Sequence, residues 1–184
     1  MANIKIKIAG ETYEVRESAL RNPSSYNPNH RIYIGHVEAG QLVKQFCKKF
    51  FPQYVCKVKS DSFSGGNSLD VYVCTKNGGA IPQHHFSKIN EFANLWEYGK
   101  FNGMYDIYED YENSGAKSDN GTELEAGVKY VHVNNRPRFG TVEAILNEVL
   151  NEGRPFDEVT RFYTDSTSKP AVAKAKAMLD KLTK

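Results

Sequence analysis

Phe63-Ser-Gly-Gly-Asn-Ser-Leu-Asp70-Val-Tyr72 and Phe101-Asn-Gly-Met-Tyr-Asp106-Ile-Tyr108 share one pattern: a Phe, a Gly, then Asp, an aliphatic residue and Tyr. In the first, Leu69, Val71 and Val73 alternate with Asp70 and Tyr72. In the second, Tyr105 and Ile107 alternate with Asp106 and Tyr108. A period of two is the mark of a strand with one buried face. Gly65-Gly66 supplies the positive φ of a tight connection, so 53–60 and 67–74 are expected to pair.

A helical segment precedes each strand pair. Over 38–51, Leu42, Val43, Phe46, Cys47 and Phe50 share a face, Lys44, Lys48 and Lys49 lie opposite, and Pro52 stops the helix. Over 82–98, Pro82 opens a second helix with Phe86, Ile89, Phe92 and Trp96 at helical spacing, and Gly99 closes it. Strands are expected at 104–111 and 128–134, joined by a polar, Gly-containing loop over 112–126. The order helix–strand–strand therefore occurs twice, at about 38–74 and 83–134. The expected fold class is α+β: a two-layer sandwich whose antiparallel four-stranded sheet is built from a duplicated unit, with both helices on one face.

The flanks add smaller elements. Ile4, Ile6 and Ile8 alternate with Lys5 and Lys7, and 12–15 returns as an N-terminal β-hairpin. A Pro- and Asn-rich loop and a short strand at 31–37 follow. Two C-terminal helices are expected at 141–152 (Val142, Ile145, Leu146, Val149) and 169–182 (Val172, Ala175, Met178, Leu179, Leu182). The 184 residues suit a single domain, with 1–35 and 140–184 flanking a core at 36–139.

Strand parity sorts the side chains. Leu69, Val71, Val73, Tyr105 and Ile107 belong under the helices. Asp70, Tyr72, Asp106 and Tyr108 belong on the other face. With Val58 turned to the core, Lys57 and Lys59 join that face. Tyr130 and His132, or else Lys129 and Val131, complete it. Aromatic rings with charges beside them are enriched at recognition hot spots, so this face is a candidate docking surface. It also reads as a plain solvated sheet face, or as one covered by the terminal elements. Arg136 and Arg138 flank Pro137 ahead of a helix start, where two guanidinium groups suit an anion or phosphate; the same segment reads as an exposed connection.

Composition narrows the chemistry. With 24 Lys+Arg against 22 Asp+Glu the net charge is +2, too little for polyanion binding through bulk charge alone. The three cysteines, Cys47, Cys56 and Cys74, form no disulfide framework or CxxC zinc motif and are expected as reduced thiols. His84-His85 are adjacent, not spaced by four, and suit a surface or capping role. Asp61, Asp70 and Asp106 suit structural hydrogen bonds at the nearby glycines better than a divalent-cation site. Neither Gly-Gly pair is followed by the Lys-Ser/Thr of a phosphate loop. No cofactor, metal site or catalytic residue is assigned, and the balance leans away from an enzyme. The N-terminus lacks a signal-peptide core, and no apolar run approaches the ~18 residues of a membrane span. A cytoplasmic location without membrane contact is expected.

Phe50-Phe51-Pro52, followed by Val55-Cys-Lys-Val58-Lys-Ser60-Asp-Ser62-Phe-Ser-Gly65-Gly66-Asn-Ser68-Leu-Asp70-Val71, resembles the signature of the large polyvalent-protein-associated domains. That signature runs Phe-Pro-Gly, a Val-x-Ser strand, a Ser/Gly-rich turn and Ser-aliphatic-Asp-Val. A second block, Phe-Asp-Gly-Met-x-Asp, is similar to Phe101-Asn-Gly103-Met104-Tyr-Asp106, where Asn102 departs from the usual Asp. The aromatic strand with a following Arg is similar to 130–136. The resemblance covers about 36–139. It implies an accessory protein of a phage or mobile element, housed in a bacterial host and acting against host defence, and it brings no active site.

The leading expectation is a non-enzymatic protein that binds a host protein or a nucleotide-like ligand through Lys57, Lys59, Asp70, Tyr72, Asp106, Tyr108, Tyr130, His132, Arg136 and Arg138. One alternative is a single-stranded nucleic-acid-binding module in which Tyr72, Tyr108 and Tyr130 stack on bases. The other is a metal-dependent hydrolase using Asp70 and Asp106. Oligomeric state is not encoded in these patterns.

Overall fold

A computed structural model describes residues 3–21, 31–102, 104, 107–111 and 114–182. The chain runs β1 (Asn3–Ile8), β2 (Glu11–Arg16), β3 (Leu20–Arg21), β4 (Arg31–Gly35), α1 (His36–Phe50), β5 (Val55–Phe63), β6 (Gly66–Cys74), α2 (Gln83–Asn94), β7 (Gly99–Asn102), β8 (Ile107–Asp110), β9 (Ala116–Lys117), β10 (Glu123–Gly127), β11 (Tyr130–Asn134), α3 (Val142–Leu150), α4 (Phe156–Thr160) and α5 (Lys169–Leu182). The class is α+β, as the periodicities require.

The first helix–strand–strand unit forms as its pattern dictates. Leu42, Val43 and Cys47 bury one face of α1, and the helix ends where the Phe51 N–H bonds Cys47 O at 2.8 Å, just before Pro52. β5 and β6 pair antiparallel from Val55↔Cys74 to Phe63↔Gly66, closed by a tight turn in which Gly65 has φ +95°. Leu69, Val71 and Val73 are fully buried, each worth roughly 1.5–3 kcal/mol of burial. Gly40 lets α1 settle onto this sheet: a Cβ there would lie 3.1 Å from Val58 Cγ1 and 3.3 Å from Leu69 Cδ1.

The sheet itself is not the expected four-stranded antiparallel one. Its order is β11-β6-β5, and β11 runs parallel to β6. The fourth expected strand leaves it, because β8 pairs with β7 in a separate two-stranded sheet. The Phe101–Tyr108 echo does span a hairpin turn, as Phe63–Tyr72 does. However, Tyr72 stands opposite Lys57, far from its turn, whereas Tyr108 stands opposite Phe101, close to its own. The two units share element order and not register. The expected loop at 112–126 also holds structure, since β10 pairs parallel with β4 and antiparallel with β9. Leu124 and Ala126 bury its inner side. The second helix ends at Asn94, earlier than Gly99.

The N-terminal hairpin packs on the helices, away from the sheet. Tyr13 stacks on Phe92 (5.7 Å between centroids) and Phe92 on Phe46 (4.2 Å). The Glu14 N–H donates to Gln45 Oε1 at 2.8 Å, and Arg16 pairs with the buried Glu38 of α1. The C-terminal helices form a second apolar cluster from Ile145, Val159, Tyr163 and Ala175. A short helix, α4, adds to the two expected ones. α3 begins where Thr141 Oγ1 accepts from the Ala144 N–H at 3.1 Å. This cluster abuts the turn after β6: a Cβ on Gly78, at φ +83°, would lie 2.4 Å from Ala144 Cβ. Among the described residues no helix is long and apolar enough to cross a membrane.

Candidate functional site

The helix-free side of the β11-β6-β5 sheet is a grid fixed by register. Lys57, Tyr72 and Asn134 form one row, Lys59, Asp70 and His132 the next, and Asp61, Ser68 and Tyr130 the third. Lys57, Lys59 and His132 are exposed; Asp70, Tyr72 and Tyr130 are half-buried. Of the two parities open for the last strand, Tyr130 with His132 is the one on this side, and Val131 is buried. Lys59 Nζ lies 3.2 Å from Asp61 Oδ2. That contact and the Ser62 N–H hold the Asp61 carboxyl below its usual range.

At the turn end, rings gather. Phe63 and Tyr130 lie 6.2 Å apart with planes within 13°, and Tyr130 and His132 lie 6.5 Å apart with planes within 5°. Tyr108 arrives from the other hairpin and meets Tyr130 edge-on at 6.4 Å. Its hydroxyl reaches the carbonyls of Gly99 and Lys129 at 2.5 and 2.6 Å, and burial pushes the phenol above its usual range. Lys129 Nζ sits over the rings of Tyr108 (5.0 Å) and Tyr130 (5.6 Å) and donates to Gly65 O at 2.7 Å. Its stem lies on Gly66, where a Cβ would come 2.6 Å from Lys129 Cδ. Parity alone therefore gave an incomplete choice: Lys129 sits at the junction before β11, its N–H taken by Asn67 Oδ1 at 2.8 Å, and joins Tyr130 on this side.

At the far end, the half-buried Arg136 lies among aromatic rings. Its guanidinium carbon lies 5.7 Å from the Tyr72 ring centre, 4.5 Å from that of Phe162 and 5.9 Å from that of Tyr163. Asn135 holds the segment, accepting from the Ile81 N–H at 2.7 Å and donating to Ile81 O at 3.0 Å. Arg138 stacks separately on Phe139 at 4.7 Å. The two arginines thus have different partners. Asp106 falls outside the described residues, and with it the expected Asp70–Asp106 pairing. His85 is structural, with Nδ1 2.8 Å from the Tyr54 hydroxyl and its ring against Phe51. Among the described residues no cluster of three or more His, Cys, Asp or Glu is arranged to hold a metal ion.

Sequence reasoning missed Phe63 as part of the site, although it precedes the Gly65-Gly66 turn and its small neighbours Gly66 and Ser68 leave it room to lean across β6. It also missed Phe162, which only the fold brings to Arg136.

No curated protein and no solved structure matches the chain. A family described as large polyvalent protein associated domain 29 matches residues 34–139. That span holds α1, both of its following hairpins, the whole bare sheet side and both arginines, and leaves out β1–β3 and α3–α5. The match takes in more than half of the 184 residues, and the protein is accordingly a phage- or mobile-element-associated one that belongs to the large polyvalent protein associated domain 29 family.

Proposed function

We propose that the protein is a non-enzymatic accessory protein that binds a nucleotide-like ligand, an aromatic base carrying phosphate, on the bare side of the β11-β6-β5 sheet. One observation carries this. Phe63, Tyr130 and His132 present rings with near-parallel planes on a side where Lys57 and Lys59 are exposed. Flat rings at one tilt suit stacking on bases, and the lysines suit phosphate. A protein of this kind in a mobile element would act against host defence by occupying a nucleotide or a nucleic-acid strand. The hydrolase alternative draws less support. Asp70 has Lys59 and His132 as cross-strand neighbours, two basic groups and not a second carboxylate.

The test is fluorescence anisotropy with labelled single-stranded oligonucleotides, alongside equilibrium dialysis with mononucleotides. Binding at low salt that falls steeply with added salt is expected, and Phe63→Ala with His132→Ala should weaken it about tenfold or more. Tighter binding of oligonucleotides than of mononucleotides identifies a strand as the natural ligand. No binding of either at low salt, together with capture of a host protein by the same face, would replace this proposal with a protein-docking one.

A further inference from the structure

β5 forms one border of the β11-β6-β5 sheet, and among the described residues no strand pairs with its outer edge. Over the half that ends in the turn, Lys59 to Phe63 are all exposed, on the side toward α1 as well as on the bare side. The backbone there is set for further pairing. A two-residue turn leaves its flanking pair, Phe63 and Gly66, bonded across the ladder. Alternation then aims the N–H and C=O groups of Val58, Ser60 and Ser62 away from β6. Two contacts agree with this. The carbonyl of Val71, which stands opposite Val58, accepts from Asn134 Nδ2 on the β11 side at 3.3 Å. The Ser62 N–H donates to Asp61 Oδ1 at 2.9 Å.

Open strand edges recruit other strands, and edge lysines normally blunt them. Lys57 and Lys59 alone would do so, but Asp61 alters that. Along the bare side the order is Lys57, Lys59, Asp61, Phe63, with Lys59 Nζ 3.2 Å from Asp61 Oδ2. A second copy running antiparallel must set outward-facing backbone against outward-facing backbone, so the two-fold axis falls on a residue between Val58 and Ser62. On Val58, Lys57 meets Lys59. On Lys59 or Asp61, that charge meets its own copy. Like charges directly opposite destabilise a pair. On Ser62, no lysine meets an aspartate. On Ser60, Lys59 stands opposite Asp61 and Lys57 opposite Phe63, on both sides of the axis, with charges alternating around a square.

We propose that β5 pairs antiparallel with β5 of a second copy of the chain, centred on Ser60, to give a two-fold dimer with one continuous sheet. Ser60 exchanges backbone hydrogen bonds with Ser60, and Val58 with Ser62. Asp61 yields the Ser62 N–H to the Val58 carbonyl of the second copy and turns to Lys59 of that copy. Side chains directly opposite share a face, so both bare sides lie on one surface of the dimer and both α1 helices on the other. The interface is small and polar, which suits a weak, concentration-dependent dimer. It stands whether or not a nucleotide binds.

The test is sedimentation equilibrium of the full chain from low to high micromolar concentration. The apparent mass should rise toward twice that of one chain. Ser60→Pro should weaken the dimer about tenfold or more, because the ring removes an outward N–H and leaves the bonds to β6 in place. In dilute solution this variant should melt at the wild-type temperature. Asp61→Lys should weaken the dimer about tenfold by setting lysine against lysine. The exchanged pair, Lys59→Asp with Asp61→Lys, should restore it to within about threefold of wild type. These charge variants test the same edge without touching the backbone. A chain that stays monomeric throughout overturns the proposal and leaves the edge to a strand of another protein. So does a dimer indifferent to Ser60→Pro, or one that Asp61→Lys weakens and the exchanged pair does not restore.

Discussion

The two ends of the bare sheet side use the same ingredients, a cation and aromatic rings, to opposite effect. At the Tyr72 end, the Arg136 guanidinium has Tyr72, Phe162 and Tyr163 around it, and behind Tyr163 stands the second apolar cluster with the buried Glu148. At the Tyr130 end, Lys129 covers Tyr108 and Tyr130, but Phe63 remains 48% exposed and His132 is exposed too. One end is packed against a distant part of the chain, although Phe162 there is itself 41% exposed; the other stops at a two-residue turn. A saturated cation joins pieces of structure, whereas an unsaturated ring is available to something else.

The floor common to both ends sets the largest effect. Leu69→Ala removes a fully buried side chain under α1 and should cost about 2–5 kcal/mol in urea unfolding, disabling both ends together. Next, Arg136→Ala should lower stability by about 1–2 kcal/mol through lost cation–π contacts, with ligand affinity unchanged. Phe63→Ala should do the reverse, leaving stability within about 0.5 kcal/mol. If Arg136→Ala instead abolished nucleotide binding without loss of stability, the contrast between the ends would collapse.

The smallest effect is one of pH. Asp165 accepts from the N–H groups of Thr167 and Ser168 at 2.9 Å each and from Ser168 Oγ at 2.7 Å, which holds its carboxyl below the usual range. A carboxylate depressed on folding stabilises above its unfolded pKa and loses that contribution as pH falls through the folded one. Glu148 has the opposite sign: burial raises it despite Arg154, so its cost appears as pH rises and is relieved in acid. In melts over roughly pH 3–7, Asp165→Asn should flatten the acid loss and Glu148→Gln should steepen it.

Much of this was legible from local pattern. The alternation at 67–74 and the spacing of Leu42, Val43 and Cys47 specify which sides are buried, because burial imposes those periods whatever the partner. Partner choice was not legible. β11 is five residues long, and nothing within it states that it will lie parallel to β6 and not antiparallel to β8. Glu123-Leu-Glu-Ala-Gly127 does alternate, but its partner β4 lies some ninety residues earlier in the chain. The role of Arg136 depends on Phe162 and Tyr163, which cannot be read without the packed fold. Asp106, central to the expected duplication, lies outside the described residues.

The run from 123 to 134 has a consequence for biosynthesis. Its first half lies beside β4 and its second half beside β6, both in parallel. As the chain leaves the ribosome, β4 and the β5–β6 ribbon emerge early and must wait with hydrogen-bonding edges open until this one late segment arrives to seal both. A nascent chain stalled before it would carry two sticky borders at once, and a synthetic peptide of the same twelve-residue span would compete for them only during that interval.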